Sequence, residues 1–214
     1  MLRSVPGRLA LMMFLQYFGL GAWVIPLTRY LPAAPEHGGL GFAPTDVMLV
    51  YMMLAIGGMA APFIVGLLAD RWFATEKVIS VSHILMGIAI GVAGWWCHVH
   101  CGAAADPGSA VGPLVALMLL YSIGCQITLT LTTVISFRNL PNSEDSFGYV
   151  RLVGTFGWVV AGLVVGWVLE PVSADSLFLS SAASFVLAAY ALMLPHTAEG
   201  IRPPGSRSAR PSSC

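Results

Sequence analysis

Arg151, Thr155, Trp158 and Gly162 are spaced i, i+4, i+7 and i+11. At 100° per residue this puts them on one narrow face of a helix. A guanidinium presents N–H donors in a fixed fork, a hydroxyl donates or accepts, and an indole offers a flat apolar surface. Together these groups can bind a polar, ring-shaped ligand. Gly154, Gly157 and Ala161 fall on a second, small-residue face of the same segment, suited to packing against another helix. An ionisable residue in a membrane-length apolar run points to function. The plainer alternative makes Arg151 a topological anchor and Trp158 a packing or lipid-facing residue.

Other polar residues sit in apolar surroundings. Gln16 and Trp23 lie seven residues apart on one helical face, so both can line one cavity; a helix–helix hydrogen bond is the alternative for Gln16. Gln126, Thr130 and Thr133 share a face that can line a pore, or their hydroxyls bond back to carbonyls. His83 reads as a proton-sensitive group or a hydrogen-bonded packing histidine. Cys97-His98-Val99-His100-Cys101 has ligand-like spacing, but nothing nearby completes a metal site, and none is expected. No H-E-x-x-H, G-x-S-x-G or phosphate-binding glycine loop occurs, so neither enzymatic chemistry nor a cofactor is expected.

The elements that must position these residues are membrane helices. The 214-residue chain is 57% hydrophobic and 9% charged, with mean hydropathy +0.81; soluble domains carry about 25% charged residues. Six apolar segments of spanning length run about 9–31, 46–69, 77–97, 112–135, 151–170 and 175–194, each near the roughly 20 residues that cross a bilayer core. The fold expected is an all-α integral membrane bundle of six helices over residues 1–197. Residues 198–214 have the composition of a disordered cytoplasmic tail. The first helix is too long for a signal peptide, and no small-x-small cleavage site follows it.

Arg3, Arg8, Arg71, Lys77, Arg138, Arg151, Arg202, Arg207 and Arg210 fall on one side of this arrangement and Arg29 alone near the other. That bias predicts both termini in the cytoplasm. Net charge is zero, so no nucleic-acid partner is implied. No carboxylate sits in the middle of any predicted span; Asp46, Glu170 and Asp175 lie at outer ends.

Gly66-Leu67-Leu68-Ala69-Asp70-Arg71-Trp72-Phe73-Ala74-Thr75-Glu76-Lys77 resembles the G-x-x-x-D-R-x-x-x-x-K signature of the major facilitator superfamily, without its usual second Gly-Arg pair. Helix one reads Phe14-Leu15-Gln16-Tyr17-Phe18-Gly19-Leu20-Gly21-Ala22-Trp23, followed later by Ile135-Ser136-Phe137 and Arg151-Leu152-Val153-Gly154-Thr155-Phe156-Gly157-Trp158. These stretches occur in the order and spacing of the nucleoside:proton symporters within that superfamily. The resemblance covers residues 9 to about 197 and implies a 3+3 inverted-repeat half of the fold. It further implies proton-driven nucleoside import across an inner membrane. It implies substrate contacts from Arg151, Thr155 and Trp158, with Gln16 and Trp23 matching L-Q-x-x-x-x-G-x-W, and a cytoplasmic gating loop formed by Gly66, Asp70, Arg71 and Lys77. Helix four departs: where the family commonly reads M-P-T-L-x-L-x-N-x-I-S, Ile127 replaces the proline and Thr133 the asparagine.

Facilitator transporters have two six-helix halves. The expectation is an N-terminal half that needs a second six-helix half, either a missing C-terminal half or a dimer partner. A half-size dimeric transporter for another small polar solute, and a membrane packing protein without transport, remain alternatives.

Overall fold

The computed structural model describes residues 4–69, 74–101, 107–140, 143–169 and 172–194. Its helices are α1 (Val5–Tyr30), α2 (Pro44–Ala69), α3 (Thr75–His100), α4 (Pro107–Asn139), α5 (Ser143–Val168) and α6 (Asp175–Ala191), with a short 3-10 turn at Pro35–His37. Among the described residues there is no strand. Helices are what a bilayer permits, because hydrocarbon offers nothing to hydrogen-bond an open backbone group. Among the described residues, five helices are long and apolar enough to cross a membrane, and the apolar α6 is shorter. Pro6, Pro44 and Pro107 stand in the first turns of α1, α2 and α4, where a missing N–H costs nothing.

Several helices begin earlier or end later than the apolar windows. The clearest case is α5, which starts at Ser143 and so places Arg151 about two turns inside the helix, roughly 12 Å from its first residue.

The main packings are α1 on α5, α2 on α4, α3 on α6, α3 on α4 and α1 on α6. Exchanging α1 with α4, α2 with α5 and α3 with α6 carries this set onto itself. That is the signature of two three-helix repeats related by a pseudo-two-fold. Glycine makes the equivalent crossings possible. A Cβ on Gly57 of α2 would lie 2.7 Å from the Ser122 carbonyl carbon in α4, and one on Gly157 of α5 would strike the Phe14 carbonyl in α1. Lipid tails are as apolar as leucine, so close backbone approach and interhelical hydrogen bonds hold such bundles together.

The α3–α6 seam adds the hydrogen bonds. Ser80 Oγ donates to the Ala188 carbonyl at 2.8 Å and Ser181 Oγ to the Gly87 carbonyl at 2.7 Å. Ser180 Oγ ties α6 to α1 through the Gly19 carbonyl at 2.7 Å.

The loop between α2 and α3, expected to be cytoplasmic, is only partly described. Asp70 and Arg71 lie outside the described residues. Lys77 is exposed on the first turn of α3. Gly66 shares its sequence character with the packing glycines but meets no neighbour: a Cβ there would find nothing within 4 Å.

Candidate functional site

The site begins with a glycine and a tyrosine. A Cβ on Gly154 of α5 would come within 2.9 Å of the Tyr17 ring of α1. The bare glycine backbone leaves a niche for that ring. One turn earlier, the Arg151 guanidinium carbon sits 4.6 Å from the ring centroid, in cation–π range. Arg151 stays exposed, so its donors remain available above the aromatic surface. Tyr17 directly follows Gln16 in α1. A tyrosine in an apolar helix gives no periodic signal; only the α1–α5 crossing shows what it does.

Thr155 is exposed one turn above Arg151. Its Oγ1 reaches the Arg151 carbonyl at 3.4 Å, at the outer limit of a hydrogen bond, which leaves the hydroxyl nearly free. Trp158 is half-buried and lies against Gly21 of α1, where a Cβ would come within 3.2 Å of the indole. Thus α5 brings Arg151, Thr155 and Trp158 together along α1, with Tyr17 completing the group.

Gln16 and Trp23 occupy different ground. Both are buried. Trp23 Nε1 donates to Tyr121 Oη of α4 at 3.0 Å, with the two rings edge to face. Gln16 Nε2 donates to Thr128 Oγ1 of α4 at 3.1 Å, and Gln16 Oε1 lies 2.9 Å from His83 Nε2 of α3. Their polar atoms are engaged by neighbouring helices.

The α4 threonines bond mainly to their own helix: Thr130 to the Gln126 carbonyl at 3.0 Å, Thr132 to Leu129 at 3.1 Å and Thr133 to Leu129 at 2.9 Å. Gln126 is half-buried beside Gly58 of α2.

At the far end of α3, the Cys101 thiol donates to the Gly38 carbonyl at 2.7 Å, and His100 Nδ1 to the Trp96 carbonyl at 2.8 Å. Cys97, Cys101 and Cys125 are free thiols. Among the described residues no group of three or more His, Cys, Asp or Glu could hold a metal ion. Glu76, a loop residue in the sequence reading, is buried in the first turn of α3.

Residues 4–207 match the family model described as nucleoside H+ symporter. The chain is 29% identical over 198 residues to the putative nucleoside transporter YegT of Escherichia coli K12, covering 89% of this chain and 42% of that protein. It is 29% identical over 196 residues to the xanthosine permease of the same organism, covering 90% and 43%. The crystal structure of nucleoside transporter NupG superposes with a TM-score of 0.78 at 25% identity, over 91% of this chain and 45% of that one. The chain therefore spans less than half the length of the relatives it matches, and the matched part is the all-helical bundle carrying the Arg151 face. On the extent of the family match, this chain belongs to the nucleoside–proton symporter family.

Proposed function

We propose that this chain supplies one six-helix half of a secondary transporter that takes up nucleosides with protons. The second half lies elsewhere in the same polypeptide or in another chain. The assembly is multi-pass in a cell inner membrane, with the N-terminus and the end of α6 cytoplasmic.

The observation that carries this reading is the placement of Arg151 at the α1–α5 crossing, exposed and poised over the Tyr17 ring. Thr155 and Trp158 follow Arg151 along α5, so the guanidinium does not stand alone there. The surrounding groups match a nucleoside. The guanidinium fork and the Thr155 hydroxyl suit ribose hydroxyls and base carbonyls, and the Trp158 ring offers an apolar face to a base.

The test is uridine and adenosine uptake by cells expressing the chain with a complementary six-helix half, in trans or as a fusion. Uptake that alkalinises a weakly buffered medium and stops in Arg151→Ala supports the proposal. Wild-type uptake by Arg151→Ala sinks it. Orientation is checked separately: a cysteine replacing exposed Glu36 is expected to label from outside and one replacing Lys77 only from inside.

A further inference from the structure

The polar group inside the bundle does something the Arg151 face does not explain. His83 is 2% exposed, yet it is a titratable side chain with one ring nitrogen engaged and Nδ1 without a partner. The direction of every bond in its network can be assigned. The Thr128 hydroxyl donates to the Cys125 carbonyl at 2.9 Å, with the Met86 sulfur as its other neighbour. Its oxygen therefore accepts from Gln16 Nε2. That turns Gln16 Oε1 toward His83, and an amide oxygen only accepts. His83 must then donate through Nε2–H, leaving Nδ1 as the bare lone pair. One imidazole tautomer fixes the amide orientation, and the amide joins α1, α3 and α4.

Gln16 and Tyr17 are consecutive residues, about 100° apart around α1. With Gln16 held by α3 and α4, Tyr17 must point toward α5. There the Gly154 niche receives it and Arg151 covers it. We propose that Gln16 and His83 are positioning residues: they lock the rotation of α1 so that Tyr17 stays seated under Arg151, and Gln16 does not itself touch the solute. This inference rests on the transport reading above.

Two experiments test it. The first needs no transport. In the intact chain in lipid, with ring-¹⁵N histidine, the His83 signals (identified by their loss in His83→Gln) should show a neutral Nε2–H tautomer at neutral pH. An Nδ1–H tautomer, which leaves Nε2 with no proton to donate to Gln16 Oε1, overturns the clamp. The second uses uridine uptake by the chain assembled with its second half. Gln16→Leu and His83→Leu should each raise KM, roughly fivefold for one neutral hydrogen bond, with kcat little changed. The double variant should be no worse than the single ones, and His83→Gln, whose amide N–H can replace the imidazole donor, should restore KM. A raised KM in Gln16→Leu beside a wild-type KM in His83→Leu would make Gln16 a direct ligand and overturn the proposal. So would effects that multiply in the double variant. Failure of the transport reading looks different: uptake then survives Arg151→Ala, and the clamp stands or falls on the imidazole tautomer.

Discussion

α2 packs on α4 as α5 packs on α1, and in each pair a glycine lets one backbone meet another. Their open sides are both largely apolar but differ in polar groups. On α2 that side carries Met48, Met52, Ile56, Met59 and Phe63, an apolar stripe rich in methionine. On α5 Arg151 and Thr155 are exposed among Leu152, Phe156, Val159 and Leu163. The inverted repeat supplies two equivalent positions beside the central helices, and the side chains specialise one of them. The packing rule is shared; the chemistry is not. That separation says which changes should break the bundle and which should break only binding.

The largest effect is expected where the repeats agree. At Gly157 and at Gly57 any side chain collides with backbone of the partner helix, which cannot rotate away as a side chain could. Overpacking commonly costs about 1–3 kcal/mol, more when backbone must move. Gly157→Leu and Gly57→Leu should both lower the amount of folded protein recovered from membranes and its melting temperature. Gly162→Leu, with nothing within 4 Å of its Cβ, should match wild type. Equal stability of all three would remove glycine packing as the common principle of the two crossings.

Arg151 comes next, and here the helices should part company. Arg151→Ala should leave melting unchanged. Each hydrogen bond to a charged group is worth on the order of 1.5–3 kcal/mol, so nucleoside affinity should fall roughly 10- to 150-fold. Arg151→Lys should recover only part, because an ammonium cannot reproduce the fork. Met52→Ala on α2 should leave affinity close to wild type. A comparable loss from the α2 change would mean that the repeats share the solute between them.

Gly154→Ala probes the same site through the Tyr17 ring under Arg151. Its new methyl would press on the Tyr17 ring at 2.9 Å. The ring can tilt, so folding should survive while Arg151 loses its platform. A cation–π contact is worth about 0.5–1 kcal/mol at an exposed site, so affinity should drop about two- to fivefold, read by uridine competition.

Much of this is legible in the spacing of residues. The i, i+4, i+7 frame of Arg151, Thr155 and Trp158 and the adjacent face of Gly154, Gly157 and Ala161 follow from helical geometry, and the structure keeps both on α5. Periodicity tells which residues share a face but not which face meets a neighbour. Gly162, Gly166 and Gly66 stand in apolar helices as the packing glycines do, yet a Cβ on any of them would find nothing within 4 Å, whereas Gly57 and Gly21 carry close crossings. Gln16 and Trp23 share a face as their spacing predicts, yet that face turns toward α3 and α4. Tyr17 becomes visible only when α5 is laid across α1. The start of α5 is hidden for another reason: Ser143, Glu144 and Asp145 are polar, and a helix can extend past the hydrocarbon into water where no apolar signal marks it.

The smallest expected effect separates a free hydroxyl from committed ones. On α4, Thr128, Thr130, Thr132 and Thr133 place their hydroxyls 2.9–3.1 Å from carbonyls of their own helix. Such bonds satisfy the hydroxyl locally, so a solute passing α4 finds few donors to use. Thr155 on α5 is stretched to 3.4 Å and exposed. Valine replaces threonine with nearly the same shape, so Thr155→Val and Thr133→Val should leave the bundle's melting unchanged. Thr155→Val should weaken uridine binding by roughly fivefold, the net worth of one neutral hydrogen bond of about 1 kcal/mol, and weaken a 2′,3′-dideoxy analogue less if the hydroxyl meets the ribose. Thr133→Val should change neither. Thr133 stands where the family commonly carries an asparagine, so its outcome also tests whether α4 of this chain still reads the solute. A fivefold loss from Thr133→Val and none from Thr155→Val would move the hydrogen-bonding half of the site from α5 to α4, and the contrast between the two repeats would have to be redrawn around that helix.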